Sequence, residues 1–159
     1  MIQDNNGDLL ASTAHALVNP VNCEGVMGKG LALEFKTRYP EAFEDYRKMC
    51  QRKELTPGKL HTYQLPDGRW IINFPTKTYW RQPSKMDYID AGLPVLAEFI
   101  QWNAIPSIAI PALGCGLGGL SWHLVRQRIE NSLANLAGVD VWLFPPKASA
   151  SPSFRRTAR

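Results

Sequence analysis

Several things are missing from this 159-residue chain, and each absence removes a class of protein. Its apolar runs last only a handful of residues, far short of the ~20 that an α-helix needs to cross a bilayer. The opening stretch, MIQDNNGDLL, carries acid and amide where a secretory leader has basic and then apolar residues. A cytoplasmic protein with no membrane association is expected. Three cysteines, at 23, 50 and 115, are too few and too scattered for a disulfide framework. With no C-x-x-C or H-x-x-x-H spacing, neither a structural metal nor another cofactor is expected. Internal repeats are absent as well.

A charge surplus is also missing from most of the chain. The net charge is +4, but Lys147, Arg155, Arg156 and Arg159 supply it from the last thirteen residues, which hold no acid. Residues 1–146 are neutral, so the basic isoelectric point does not mark a nucleic-acid-binding face on their surface. Residues 1–146, with ordinary apolar and charged content, read as one domain able to bury a core. Residues 147–159, KASASPSFRRTAR, lack hydrophobic periodicity and read as a disordered basic tail or linker.

What the chain does have is alternation of element types. Strands are predicted at 15–21, 60–65, 69–74, 107–111 and 139–144, with another short one at the N-terminus. The turn sequence PDGR makes the pair at 60–74 a β-hairpin. Helices are predicted over 28–38, 40–52, 85–102 and 121–136. Pro40 suits a first helical turn, Pro94 should kink the third helix, and Ser121 is the candidate N-cap of the fourth. This order predicts an α/β fold, a central mixed sheet with helices on both faces.

Glycine gathers in two places, each after a strand and before a helix. VNCEGVMGKGLALEF, residues 21–35, holds Gly25, Gly28 and Gly30; IAIPALGCGLGGLSWHLV, residues 108–125, holds Gly114, Gly116, Gly118 and Gly119. Neither is G-x-G-x-x-G or a P-loop, and without the lysine–serine pair γ-phosphate transfer is not expected. Both loops should lie at the carboxyl edge of the sheet, where backbone N–H groups and helix N-termini hold anions. Two facing loops suit the diphosphate of a dinucleotide-like ligand. Glycines that merely serve tight crossings are the alternative.

GDLL (7–10), ALVNPVNCEGVMGKGLALEFKTRYP (16–40) and IPALGCGLGGLSW (110–122) together resemble a macrodomain, the three-layer α/β/α fold that binds ADP-ribose. GVMGKGLALEFK, followed by FPTKTYWRQPSKMDYIDAGL (74–93), is similar to the branch of DNA ADP-ribosyl glycohydrolase antitoxins, related to the terminal ADP-ribose glycohydrolases. The similarity runs from residue 1 to about residue 145. It implies a hydrolase that removes ADP-ribose from thymidine in single-stranded DNA, without a metal. The implied partners are ADP-ribose, ADP-ribosylated single-stranded DNA and a cognate DNA ADP-ribosyltransferase toxin.

By position, the resemblance assigns ADP-ribose contacts to Asp8, Leu9, Asn22, Gly25, Val26, Met27, Gly28, Lys29 and Gly30. Across the cleft it assigns Pro111, Ala112, Leu113, Gly114, Cys115, Gly116, Leu117, Gly118 and Gly119. Asp8 either accepts from the adenine amine or closes a turn. Asn22 either orients the distal ribose for catalysis, its amide donating and accepting at once, or caps a turn. Phe144 packs on adenine or in the core.

Lys77, just past a strand end in NFPTKTYW, matches the catalytic lysine of the branch; composition alone reads it as a solvated charge. As an amine it could attack C1 of the distal ribose, and as an ammonium it could protonate or stabilise the departing group. A thymine ring nitrogen leaves as a resonance-stabilised anion, for which the second role suffices. Cys115 is either a nucleophile near a helix N-terminus or a small side chain filling a tight loop. Cys23 reads as packing, His123 as part of the last helix's first turn, and Glu24 as a ligand contact or a surface charge. Residues 76–85 set Arg81 and Lys85 among Tyr79 and Trp80, a mixture that suits single-stranded nucleic acid or an ordinary exposed loop.

One departure from the pattern bears on substrate. The protein-directed terminal glycohydrolases carry a catalytic aspartate where this sequence has Gly118, which favours DNA over a protein glutamate. A protein mono-ADP-ribosyl hydrolase and a non-catalytic ADP-ribose-binding macrodomain stand as alternatives.

Overall fold

Ala16 and Val18 turn into one apolar layer while Leu17 turns into the opposite one, so the strand that carries them, β2 (Ala16–Val21), is buried on both faces. Such a strand belongs in the middle of a sheet covered on two sides. The computed structural model, which describes residues 1–147, places it there. The other strands are β1 (Ile2–Asp4), β3 (His61–Gln64), β4 (Trp70–Pro75), β5 (Ser107–Pro111) and β6 (Asp140–Phe144). Their spatial order is β1-β6-β5-β2-β4-β3. All neighbours pair parallel except β3, which returns antiparallel along β4 as the predicted hairpin.

Helices α3 (Met86–Trp102) and α4 (Trp122–Leu133) cover one face through Ile89, Leu93, Leu96 and Ile100 and through Val125, Ile129 and Leu133. Helices α1 (Gly30–Arg38) and α2 (Pro40–Gln51), with a 3-10 turn at Leu9–Ala11, cover the other. There Leu9, Leu10, Phe35 and Ala42 pack with Leu17, Ile71 and Ala109. The arrangement is the expected α/β fold, a mixed sheet between two helical layers. Gly92 of α3 lies under the Phe74 ring, where a Cβ would stand 2.9 Å from two ring carbons. That close approach admits no larger residue without repacking.

Some boundaries shift. Helix α1 starts at Gly30 rather than 28, because Lys29 is extended (φ −147°, ψ 160°). Helix α4 stops at Leu133 rather than 136, in a turn in which Leu136 N–H donates to the Leu133 carbonyl at 3.1 Å. Ser121 occupies the N-cap position, but its side chain makes no capping bond. Helix α3 continues through Pro94, which is exposed, so the Asp90 carbonyl that loses its helical partner can turn to water. The expected tail lies outside the described residues except for Lys147. Among the described residues no helix is long and apolar enough to cross a membrane.

Because β2, β4, β5 and β6 are parallel, Val21, Pro75, Pro111 and Phe144 end at one edge of the sheet. The segments that follow them, 22–29, 76–85, 112–121 and 145–147, therefore meet there.

A polar chain crosses the layer beneath α2. His61 Nε2 lies 2.7 Å from Asp45 Oδ2, Asn73 Nδ2 lies 3.0 Å from His61 Nδ1, and Asn19 Nδ2 donates to Asn73 Oδ1 at 3.0 Å. With Asn73 donating to Nδ1, the imidazole proton sits on Nε2 and the ring is neutral. Burial holds the His61 pKa below its usual 6.5, against the opposing pull of Asp45. The unfolded chain thus binds this proton more tightly than the folded one. The stabilising contribution of neutral His61 is complete above pH 6.5 and is lost as pH falls below it, levelling off beneath the folded value. The thermal midpoint should fall between about pH 7.5 and about pH 5 and fall less in H61Q, as scanning calorimetry can measure. Equal slopes in the two proteins would count against this account.

Candidate functional site

Asn22 directly follows β2, and its side chain shapes the first glycine loop. Its Nδ2 donates to the Val26 carbonyl at 2.8 Å, while Oδ1 accepts from Glu24 N–H at 3.1 Å and Val26 N–H at 3.3 Å. The hydroxyl of Tyr46 on α2 reaches both the Asn22 carbonyl and Asn22 Oδ1 at 2.9 Å. Tyr46 is fully buried, and burial raises its pKa, so the hydroxyl remains a donor. Gly25 fits this turn with φ 84°, and a Cβ there would come within 3.2 Å of Arg47 Cγ. Asn22 therefore does cap a turn. Its second amide hydrogen has no acceptor among the described residues, so the same side chain can also face a ligand.

The loop leads into α1, whose N-cap is Lys29, with no side-chain cap and no acid in the first turn. The first amides of the helix, at Gly30, Leu31 and Ala32, border the cleft described below. Uncapped amides at the positive end of a helix dipole form an anion site.

Lys77 sits on a loop closed at its base. Thr76 N–H donates to the Val21 carbonyl at 2.9 Å, Lys85 N–H to the Thr76 carbonyl at 3.2 Å, and Ser84 Oγ to Thr76 Oγ1 at 3.2 Å. Next to Lys77, the Thr78 carbonyl accepts from Cys23 N–H at 2.9 Å, tying this loop to the first. Ser84 N–H donates to the Gly118 carbonyl at 3.0 Å, tying it to the second glycine loop. That loop turns on itself through Cys115 N–H to Ala112 and Leu120 N–H to Gly114. Among the described residues no protein acceptor meets the N–H groups of Gly116, Leu117 and Gly118.

The loops enclose a cleft of about 750 Å³. Most of the expected residues line it: Asp8 and Leu9 at the 3-10 turn, Asn22, Val26, Gly28, Lys29 and Gly30 on the first loop, and Lys77 and Trp80 on the next. Pro111, Ala112, Gly114, Cys115, Gly116, Leu117 and Gly118 form the opposite wall. Asp8 Oδ1 caps Leu10 N–H at 3.0 Å, which leaves its second oxygen for a ligand. Phe144 both packs in the core and lines the cleft.

Other expected residues lie outside the lining. Gly25 faces α2, Met27 is buried with Tyr46 and Cys50, Leu113 is in the core beneath α3 and α4, and Gly119 does not border the cleft. Tyr79, Arg81 and Lys85 are exposed beside the cleft, with the Arg81 guanidinium 4.7 Å from the Trp80 ring centre. Thr76 and Ser84, both buried, line the cleft without having been singled out from sequence. They meet only when the loop closes, and no local pattern announces that. Glu34 and Lys147 also reach the wall.

Burial raises all three thiols, Cys23 to about 12 and Cys115 to about 11, while Cys50 shifts in the same direction. Cys115 donates to the Leu113 carbonyl at 3.4 Å, which suits a small residue filling a loop rather than a thiolate nucleophile. Among the described residues no group of three His, Cys, Asp or Glu side chains gathers as a metal site does.

An open, mostly parallel sheet with a cleft across its carboxyl edge, walled by backbone amides, is the arrangement of a nucleotide-binding α/β protein. The chain belongs to the Macro domain family, whose model matches residues 18–129. It is 51% identical over 153 residues to a DNA ADP-ribosyl glycohydrolase of Mycobacterium tuberculosis, covering 94% of this chain and 44% of that protein. The solved macrodomain of M. tuberculosis DarG superposes with a TM-score of 0.90 at 51% identity, covering 92% of this chain and 99% of that one. Thermosipho africanus DarTG in complex with ADP-ribose gives a TM-score of 0.83 at 35% identity, covering 92% and 42%. The chain thus spans less than half the length of such glycohydrolase relatives. The resemblance read from the two glycine loops and the Lys77 segment is borne out.

The Tyr46–Asn22 contact can be tested directly. Y46F leaves the Asn22 carbonyl without a donor, while Asn22 Oδ1 keeps two N–H donors, and should cost about 1–3 kcal/mol in denaturant unfolding. Amide exchange across residues 22–27 should rise with it, whereas wild-type exchange would mean that the hydroxyl does not hold the loop.

Proposed function

We propose that this chain is a DNA ADP-ribosyl glycohydrolase that frees thymidine in single-stranded DNA from ADP-ribose in the cytoplasm. It would act as the antitoxin of a DNA ADP-ribosylating toxin. The observation that carries this reading is that Asn22 and Lys77, on separate loops, line one cleft with both glycine walls. Relatives bearing that activity in their names support it, and one of them is named as a fusion of the transferase with the glycohydrolase.

In this reading the diphosphate lies between the α1 amides and the 116–118 amides, and Asp8 and Phe144 receive adenine. Asn22 offers its free N–H to the distal ribose. The Lys77 ammonium stands beside the thymine nitrogen as the bond from C1 of that ribose breaks. It stabilises the departing anion, which takes up a proton, while water adds oxygen to C1. Trp80, backed by Arg81, offers a stacking face at the mouth; Tyr79 and Lys85 extend a basic, aromatic strip outside it. A protein glutamate is the less favoured substrate because Gly118 supplies no acid. A Cβ there would lie 2.8 Å from Ser84 Cβ and 2.5 Å from the Gly114 carbonyl oxygen.

Release of ADP-ribose from thymidine-modified single-stranded DNA and from glutamate-modified protein separates the readings. Turnover of the DNA alone is expected, with K77A slower by on the order of a hundredfold or more and ADP-ribose affinity by calorimetry nearly unchanged. Release from protein alone would reassign the substrate. Binding without any release would make the chain a reader of ADP-ribose.

A further inference from the structure

Resting on that reading, we propose that Glu24 is a positioning residue that sets Lys77 against the distal ribose by clasping the loop that carries it. Glu24 Oε1 accepts from the backbone N–H of Trp80 at 2.7 Å, three residues beyond Lys77. It is exposed, does not line the cleft, and makes no ion pair with another described residue. Its carboxylate is engaged by one backbone amide, a short charge-assisted bond.

The clasp closes a ring. Glu24 N–H donates to Asn22 Oδ1, Cys23 N–H donates to the Thr78 carbonyl at 2.9 Å, and the Glu24 side chain accepts from the Trp80 amide of the same loop. Val21, Cys23 and Glu24 thereby hold the backbone on both sides of Lys77, Val21 at Thr76 along the sheet edge and Cys23 and Glu24 at Thr78 and Trp80 from the first glycine loop. Lys77 has several rotatable bonds of its own, so its ammonium is only as well placed as the backbone that carries it. The loop has other ties, from the Cys23 thiol to the Lys77 carbonyl at 3.7 Å, from Thr78 Oγ1 to the Tyr88 hydroxyl at 3.3 Å and from Ser84 N–H to the Gly118 carbonyl at 3.0 Å, but none of them engages the Trp80 amide. The same bond sets Trp80, whose ring lines the mouth next to Lys77.

The test compares E24A, which removes the acceptor, with E24Q, which keeps a carbonyl oxygen at the same reach. In E24A, amide exchange at residues 78–82 should rise and kcat on thymidine-modified DNA should fall roughly three- to tenfold, with KM and melting temperature nearly unchanged. E24Q should recover most of both. In a K77A background, E24A should have little further effect on the residual rate, since a residue acting through Lys77 has nothing left to place.

Unchanged exchange in E24A, or a rate loss that persists undiminished in the K77A background, would overturn the assignment. So would an E24Q variant as impaired as E24A. A wild-type protein that releases no ADP-ribose overturns the proposed function and the positioning role together. A wild type that turns over beside an E24A variant of equal rate overturns the positioning role alone.

Discussion

The hydroxyl of Tyr46 against Asn22 is the contact on which the cleft depends. It joins the body of α2 to the residue immediately after β2, and does so inside the core, where an unmet acceptor costs far more than at the surface. Asn22 Oδ1 receives three donors and its Nδ2 donates once, so one side chain sets the path of residues 22–26. That path delivers Lys29 in an extended conformation and starts α1 at Gly30. It also presents Cys23 and Glu24 to the loop of Lys77. The two candidate catalytic side chains are thus held by one hydrogen-bonded unit rather than by two independent loops.

The site also leaves local stability unclaimed. None of the four α-helices among the described residues has a side-chain N-cap, although a serine stands at the N-cap position of α4. A cap is typically worth about 1 kcal/mol, and a capping oxygen at α1 would occupy the amides that face the cleft. An anionic ligand can take that role instead, adding the dipole term that a neutral cap lacks.

Much of the fold was legible in the sequence because its signals are local. The apolar runs of β2, β5 and β6 and the 3.6-residue spacing along α3 come directly from adjacent side chains. The end of α4 was missed because Leu136 continues the helical spacing of Leu133 while the backbone has already turned. In the site, proximity along the chain did not show that Gly25, Met27 and Leu113 lie off the cleft. A tight loop turns successive residues to different sides, so neighbours of cleft-lining residues face α2 or the core instead. Thr76 with Ser84, and the chain from Asp45 through His61 and Asn73 to Asn19, join residues that only the folded topology brings together.

What the cleft lacks bears on its chemistry as much as what it holds. Among the described residues its carboxylates are Asp8 and Glu34, neither of them on the Lys77 loop or on the glycine wall opposite. Residues 76–85 and 112–121 contain no acid, and Ser84 and the Gly114 carbonyl occupy the space in which a side chain at 118 would begin. A covalent adduct on Lys77 would need a neighbouring base to activate the water that resolves it. A leaving group that departs as a delocalised anion needs a fixed positive charge and a route for water, and no facing carboxylate. Of the two roles open to Lys77, the electrostatic one agrees with the residues around it. In the proposed reading the burden of catalysis falls on position, and therefore on the backbone bonds at Thr76, Thr78 and Trp80 on either side of the lysine.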